Sequence, residues 1–249
     1  MTKILQAGAI LFGFSVPAAI FLFVIMRKAQ LVIVSLTRFL CSCNGCSAFF
    51  CLCALMLSAI IWEIIAPLKE TYWFTVLLGV AIMEVIRFMF YRYYEKAERS
   101  FSVVSTNAIA YPMTDFYSSL AAGVGWGGCE TVLLYGTVLS YAGGPGTLWS
   151  NQCTYFSTFM LSAWNAFLFG ILHITLMITA FDAFRQKSLL KLTAFVVCHF
   201  LAAAATLLNR MDDGCIISLP CILAVVLASG CHCLYVVNAP SYRSNKRNS

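Results

Sequence analysis

The sequence predicts an all-α polytopic membrane protein with seven transmembrane helices, and three observations support this prediction. The first is composition, since 61% of the 249 residues are hydrophobic and only 10% are charged. A soluble domain carries about 25% charged residues and must keep a polar surface, so a soluble, disordered or fibrous chain is excluded. The second is a series of long apolar runs, and the third is the placement of the charges between them.

Seven runs are long enough to cross a bilayer. A transmembrane helix needs about 20 predominantly apolar residues for a hydrocarbon core of about 30 Å. The runs lie at 5–26, 31–65, 72–94, 108–141, 155–181, 189–208 and 215–237. They are continuous rather than alternating, which favours helices over barrel strands. Because the loops are short, residues 1–249 are expected to form one transmembrane domain that ends in a short basic tail, 239–249.

The positive charges predict the orientation of these spans. Eleven of the sixteen Lys and Arg residues lie in the first, third and fifth loops or in the tail, whereas the other side has only Lys3, Lys69 and Arg210. Positively charged loops stay in the cytosol, so we expect an outside amino terminus and a cytosolic carboxyl terminus. The net charge of +6 is therefore a topology signal. It does not indicate nucleic-acid binding, since no basic stripe with interleaved aromatic residues is present.

Ionisable residues inside spans are candidate functional groups, because burying them is costly. Glu84 and Arg87 are three residues apart on the third span, so they share a helix face and are expected to pair. His173 and His199 each lie about ten residues from the turn that joins the fifth and sixth spans. They are expected at similar depth in one polar cavity. The alternative is a purely structural role for these groups, in which they hold helices together.

Small residues and cysteines give further hypotheses. Ser119, Gly123 and Gly127 recur every four residues on the fourth span and predict a groove for close helix packing. Its occupant is either another helix of this chain or another subunit. The cysteines at positions 41, 43, 46, 51 and 53 do not form the two C-x-x-C pairs that are typical of a metal site. They are therefore expected to act as small hydrophobes, and no metal site is predicted. The segment 231–233, Cys-His-Cys, is a weaker metal or palmitoylation candidate.

Several motifs, taken in order, make the chain similar to the anterior pharynx-defective (Aph) subunit family of gamma-secretase over nearly its full length. The most specific are Glu84-Val85-Ile86-Arg87-Phe88, Leu172-His173 leading to Phe181-Asp182-Ala183, and His199 running to Thr206-Leu207-Leu208-Asn209. The sequence departs from the family in its cysteine-rich second span. It also departs where the family's fourth-span glycines fall on Thr114, Ser118 and Ala122.

The resemblance implies a non-catalytic scaffold with no cofactor. It implies partners that are nicastrin-like, presenilin-like (the catalytic subunit) and presenilin-enhancer-like, and a role in protein processing that includes Notch signalling. It also implies a location in the endoplasmic reticulum, the Golgi and downstream membranes including the plasma membrane. The histidines of the family correspond to His173 and His199 and support assembly. The full set of candidate assembly residues is Glu84, Arg87, Ser119, Gly123, Gly127, His173, Asp182 and His199.

Two other classes of function stay open from the sequence alone. One is a metal-dependent intramembrane hydrolase that uses His173, His199 and Glu84, although the chain has no H-E-x-x-H or G-x-S-x-G motif. An intramembrane aspartyl protease is disfavoured because neither Asp115 nor Asp182 lies in a Gly-x-Gly-Asp setting. The other class is a small receptor or transporter with a cavity at the histidines. The sequence lacks the internal repetition that is typical of many transporters.

Overall fold

The computed structural model describes residues 12–13, 15–20, 22, 47–65, 70–104, 115–139, 149–150 and 152–239. In these ranges the named helices are α1 (Ser47–Ile64), α2 (Tyr72–Val104), α3 (Asp115–Leu139), α4 (Thr158–Gln186), α5 (Leu189–Leu207) and α6 (Cys215–Asn238). They lie in the second to seventh predicted spans, in that order. A 3₁₀ turn (Leu208–Arg210) extends α5. In the first predicted span, residues 12–13 and 15–20 are helical.

Five of these helices are long and apolar enough to cross a membrane. They are α1, α2 as far as Lys96, α4, α5 with its 3₁₀ turn, and α6. Helix α3 has 25 residues and is long enough at 1.5 Å per residue, but its glycines and Glu130 make it less apolar. The fold is thus that of an α-helical membrane protein. The sequence predictions for residues 31–46 and for the tail beyond residue 239 lie outside the described residues.

Helix α4 occupies the centre of the bundle. In the most apolar stretch of α4, 78% of the residues are buried. In the corresponding stretches of the other four candidate spans, only 22–28% of the residues are buried. A helix that is hydrophobic on all sides suits either lipid or a protein core, and the burial of α4 shows that it lies in the core. Leu172 and Leu176 pack with Phe195 of α5 and Ile222 of α6, while Met177 belongs to a second cluster with α1, α2 and α3. The residues that carry the Aph-like motifs on α4 therefore lie at the core of the fold.

A short β-hairpin precedes α4 and corrects one predicted boundary. Strand β1 (Trp149–Ser150) pairs antiparallel with β2 (Cys153–Ser157). The fifth span, predicted to begin at residue 155, therefore begins as a strand, and its helix starts at Thr158. Ser157 is the N-cap, and its hydroxyl accepts a hydrogen bond from the Met160 amide at 3.3 Å. Such a cap satisfies an amide that would otherwise lack a partner. The all-α fold class fits the structure, in which this two-stranded hairpin is a small addition to the helices.

Helix α2 continues to Val104, beyond the predicted end at residue 94. Around the predicted end of the run, Glu95 accepts a hydrogen bond from Arg99 at 2.6 Å and lies 3.9 Å from Arg92. Ion pairs at this spacing stabilise an exposed helix by a few tenths of a kcal/mol each. The sequence prediction located the end of the apolar run and missed the polar extension of the same helix.

Three contacts join loops and helix ends at one end of the bundle. A disulfide links Cys153 of β2 to Cys215 at the start of α6. Beside it, the Thr154 hydroxyl donates to the Asp213 carboxylate at 3.0 Å. The Arg210 guanidinium lies 3.6 Å from the centre of the Tyr72 ring, which is a cation–π contact. These contacts connect the hairpin, the segment between α5 and α6, and the start of α2.

The disulfide gives a first testable prediction. Non-reducing proteolysis and mass spectrometry are expected to recover the peptides of Cys153 and Cys215 as one linked pair. Cys215→Ser is expected to lower the free energy of unfolding by about 2–4 kcal/mol, because the crosslink restricts the unfolded chain. Cys221→Ser is the matched control, since Cys221 is a free, exposed cysteine in the same helix. Alkylation of both Cys153 and Cys215 without prior reduction would contradict the prediction.

Candidate functional site

Five ionisable side chains from four helices meet in the core. Glu84 and Arg87 come from α2, Glu130 from α3, His173 from α4 and His199 from α5. Arg87 and His173 are fully buried and His199 is 1% exposed. The Glu84 and Glu130 side chains are 10% and 12% exposed. We call this set the buried ionic network.

The network is a continuous chain of close polar contacts. Arg87 donates from Nη1 to Glu84 Oε1 at 2.6 Å and from Nη2 to His173 Nδ1 at 2.9 Å. His199 Nδ1 contacts the same Glu84 oxygen, and His173 Nε2 contacts Glu130 Oε2. The two imidazole centres are 5.0 Å apart. The predicted pairing of Glu84 with Arg87 and the predicted meeting of the two imidazoles are confirmed.

These contacts hold four helices together. The Arg87 guanidinium ties α2 to α4, the Glu84 carboxylate ties α2 to α5, and the Glu130 carboxylate ties α3 to α4. The Trp126 ring of α3 also lies 5.1 Å from the guanidinium carbon, and an aromatic face attracts a cation. Breaking a buried ion pair by removing one partner is strongly destabilising. The network therefore determines how α2, α3, α4 and α5 sit against one another.

The geometry does not suit the metal-dependent hydrolase considered from the sequence. A histidine ligand needs a ring nitrogen with a free lone pair that points at the metal, whereas both nitrogens of His173 are engaged by Arg87 and Glu130. The Arg87 guanidinium also places a positive charge where a cation would have to bind. In the part of the chain that the structure describes, no group of three His, Cys, Asp or Glu side chains could hold a metal ion.

Asp182 lies apart from the network. It is buried on α4 and accepts hydrogen bonds from Lys191 Nζ at 2.6 Å and from Gln186 Nε2 at 2.7 Å. Lys191 belongs to α5, so Asp182 fastens α4 to α5 beside the tight turn that joins them. Lys187 adopts a left-handed conformation (φ 51°) in that turn. The role of Asp182 that the structure supports is to stabilise this helix–turn–helix unit.

The small-residue groove on α3 is filled by α4 of the same chain. A Cβ atom on Gly123 would lie 2.8 Å from Ile174 Cα, and one on Gly127 would lie 2.8 Å from the Gly170 carbonyl oxygen. Ser119 is also fully buried. Of the two occupants left open by the sequence, the structure thus shows the intramolecular one. These three residues present no open face to another subunit in this conformation.

Two features of the structure were not singled out from the sequence. Glu130 is a carboxylate in the middle of the fourth predicted span, and the cost of burying it is the signal that could have identified it. The Cys153–Cys215 disulfide joins residues at the starts of the fifth and seventh spans. The predicted topology places these two starts on the same side of the membrane. Twelve cysteines allow too many pairings for sequence alone to select this one.

Fold and site together define a class: a polytopic helical membrane protein whose central helix is tied to its neighbours by buried charges. The family model for the Aph-1 protein matches residues 4–240. The chain therefore belongs to the Aph-1 family, which confirms the resemblance found in the sequence.

The similarity to individual relatives extends over most of each chain. Identity to "Gamma-secretase subunit APH1-like" of Arabidopsis thaliana is 26% over 240 residues, which cover 94% of this chain and 92% of that protein. Identity to "Gamma-secretase subunit Aph-1" of Drosophila melanogaster is 28% over 207 residues, 82% and 81% of the two chains. Identity to "Gamma-secretase subunit APH-1B" of Homo sapiens is 25% over 218 residues, 84% and 80%.

Proposed function

We propose that this chain is a non-catalytic assembly subunit of a gamma-secretase-like intramembrane protease complex. It binds a presenilin-like catalytic subunit, a nicastrin-like subunit and a presenilin-enhancer-like subunit within the lipid bilayer, and it stabilises their complex. The observation that carries the proposal is the family match over residues 4–240. The buried ionic network supports it, because its ionisable groups bind one another and form a helical frame.

The proposal includes the orientation that the charges predict, with seven spans, an outside amino terminus and a cytosolic tail. The Cys153–Cys215 disulfide supports this orientation, because it lies at the end of the bundle that the charges assign to the outside. Stable disulfides form in oxidising compartments and are rare in the cytosol. An endoplasmic reticulum and Golgi route to the plasma membrane, and a role in Notch-type processing, are parts of the same proposal.

His173 and His199 are proposed to support assembly indirectly. Both imidazoles are at most 1% exposed, so in this conformation they cannot touch a partner subunit. What they fix is the position of α5 against α2 and α4, and hence the shape of the outer helix faces. Exposed apolar residues such as Leu223 and Leu227 of α6 belong to those outer faces, which contact lipid or partner helices. Glu84 and Arg87 act in the same way.

Purification of the epitope-tagged chain from its own cells tests the proposal. In a mild detergent we expect a presenilin-like aspartyl protease and a nicastrin-like protein to co-purify at a stoichiometry near one to one. Recovery of the chain alone, under conditions that keep other membrane complexes intact, would contradict the proposal. Turnover of a substrate by the purified chain without companions would contradict its non-catalytic part.

The three histidines of the chain supply a variant series with a matched control. His173→Ala and His199→Ala are each expected to reduce partner recovery several-fold per folded chain, because each removes a contact of the buried network. His232→Ala is expected to retain it, since His232 lies on α6, is partly exposed and is not in the network. Folded chain is measured by size-exclusion chromatography of a fluorescent fusion. Equal partner recovery from all three variants would show that the network has no part in assembly.

A further inference from the structure

The hydrogen bonds of the network determine the protonation state of His173. An arginine side chain can only donate hydrogen bonds, so the His173 Nδ1 atom that Arg87 contacts at 2.9 Å must accept and carries no proton. The other ring nitrogen, Nε2, faces the Glu130 carboxylate, which is an acceptor. Nε2 therefore carries the proton. His173 is a neutral imidazole that accepts from Arg87 on one side and turns its protonated nitrogen toward the Glu130 carboxylate on the other.

The charges of the remaining groups do not balance without a further proton. Glu84 Oε1 accepts from Arg87 Nη1 and also contacts His199 Nδ1, and an ionised carboxylate oxygen can accept from both. With Glu130 also ionised, two negative charges face the single positive charge of Arg87. An uncompensated charge inside a membrane-embedded core is costly. One additional proton would make the network neutral.

We propose that the buried ionic network binds this additional proton and that His199 carries it as an imidazolium. An imidazole binds a proton about a hundredfold more tightly than a carboxylate does in water. Protonation of His199 also strengthens its hydrogen bond to Glu84, because both partners are then charged. Protonation of Glu84 would weaken the bonds that it accepts from Arg87 and His199.

The charged and titratable groups around His199 come from three other helices. They are Glu84 and Arg87 of α2, Glu130 of α3 and His173 of α4. The two adjacent imidazoles thus have different states, one neutral and one charged, and do not repel each other as two cations would. This assignment concerns the chain itself and does not depend on the proposed subunit role.

Nitrogen-15 solid-state NMR of the full chain tests the assignment directly. The chain, labelled at histidine and carrying His232→Asn, is reconstituted in phosphatidylcholine vesicles at neutral pH, which leaves signals from two rings. We expect one ring with a single protonated nitrogen, Nε2 of His173, and one ring with both nitrogens protonated, His199. Two neutral rings would overturn the proposal, as would a charged His173. The unsubstituted chain, with three ring signals, gives the same test if the variant does not reconstitute.

Glu130→Gln tests whether the charge balance of the network is the reason that His199 is protonated. It removes one negative charge, so Glu84 and Arg87 balance each other and the extra proton is no longer needed. The imidazolium signal is expected to fall several-fold, and the His173 signal is expected to shift because its neighbour has changed. Glu95→Gln is the control, since Glu95 lies in the polar extension of α2 and pairs with Arg99. An undiminished imidazolium signal in Glu130→Gln, or its loss in Glu95→Gln, would overturn the proposal.

Discussion

Replacing Arg87 by methionine is expected to cost about 3–5 kcal/mol of folding free energy, the range for breaking a buried ion pair by removing one partner. Methionine keeps much of the apolar volume but removes every donor. Glu84 Oε1 then loses its 2.6 Å contact, and His173 Nδ1 loses its donor. Native proteins are stable by only about 5–15 kcal/mol. The yield of monodisperse chain in mild detergent, and the temperature at which half of it is lost, are the measurements.

Arg92→Met is the matched control for this prediction. It makes the same chemical change five residues further along α2, but the Arg92 side chain is 66% exposed and lies 3.9 Å from Glu95. Exposed ion pairs contribute about 0–1 kcal/mol, so this variant should be recovered nearly as well as the unsubstituted chain. If Arg87→Met were as stable as Arg92→Met, the buried ionic network would not hold the helices together.

The sequence predicted relative positions along the helices well, because these follow from counting residues. The equal distance of His173 and His199 from the turn between their helices was sufficient to predict that the imidazoles meet. The pairing of Glu84 with Arg87 followed in the same way from helical geometry. The match of α5 (Leu189–Leu207) and α6 (Cys215–Asn238) to the predicted runs has the same origin.

Contacts that depend on the rotation of the helices could not be predicted in this way. One partner of His173 is Glu130, 43 residues away, and the occupant of the α3 groove is α4. Each contact depends on how two helices are rotated about their axes, and an almost uniformly apolar helix such as α4 gives no amphipathic pattern that would fix this rotation. The hairpin at 149–157 was missed because residues 149–154 read as a polar loop and residues 155–157 as the start of the fifth apolar run.

The features that keep α3 out of the five most apolar candidate spans are also those that place it against α4. Gly123 and Gly127 remove side-chain bulk at the two closest approaches, and Glu130 reaches across to His173. In a bilayer, helices gain little from apolar burial alone, so close packing and polar contacts drive their association. The lower hydropathy of α3 is thus a consequence of its contact surface.

Gly123→Ala and Gly127→Ala are each expected to destabilise the folded chain by about 1–3 kcal/mol, the usual range for overpacking. The added Cβ would lie 2.8 Å from a backbone atom of α4 in both cases, and the backbone of a helix cannot move aside as a flexible side chain can. Gly79→Ala and Gly230→Ala are the matched controls. They make the same change in α2 and α6, where no atom lies within 4 Å of the new Cβ. These controls are expected to be neutral or to stabilise by up to about 1 kcal/mol, because alanine favours the helix.

The glycine variants also couple to the buried ionic network. Gly170 and Ile174 are the contact points on α4, and His173 lies between them, so moving α4 away from α3 also lengthens the contact between Glu130 and His173 and shifts the imidazole that Arg87 binds. Gly127→Ala combined with Arg87→Met should therefore cost less than the sum of the two single changes, since residues that share partners are not additive. Thermal loss of monodisperse chain measures all four variants of this cycle, including the unsubstituted chain. Strict additivity, or equal stability of the α3 glycine variants and their controls, would show that the close approach of α3 to α4 does not position His173.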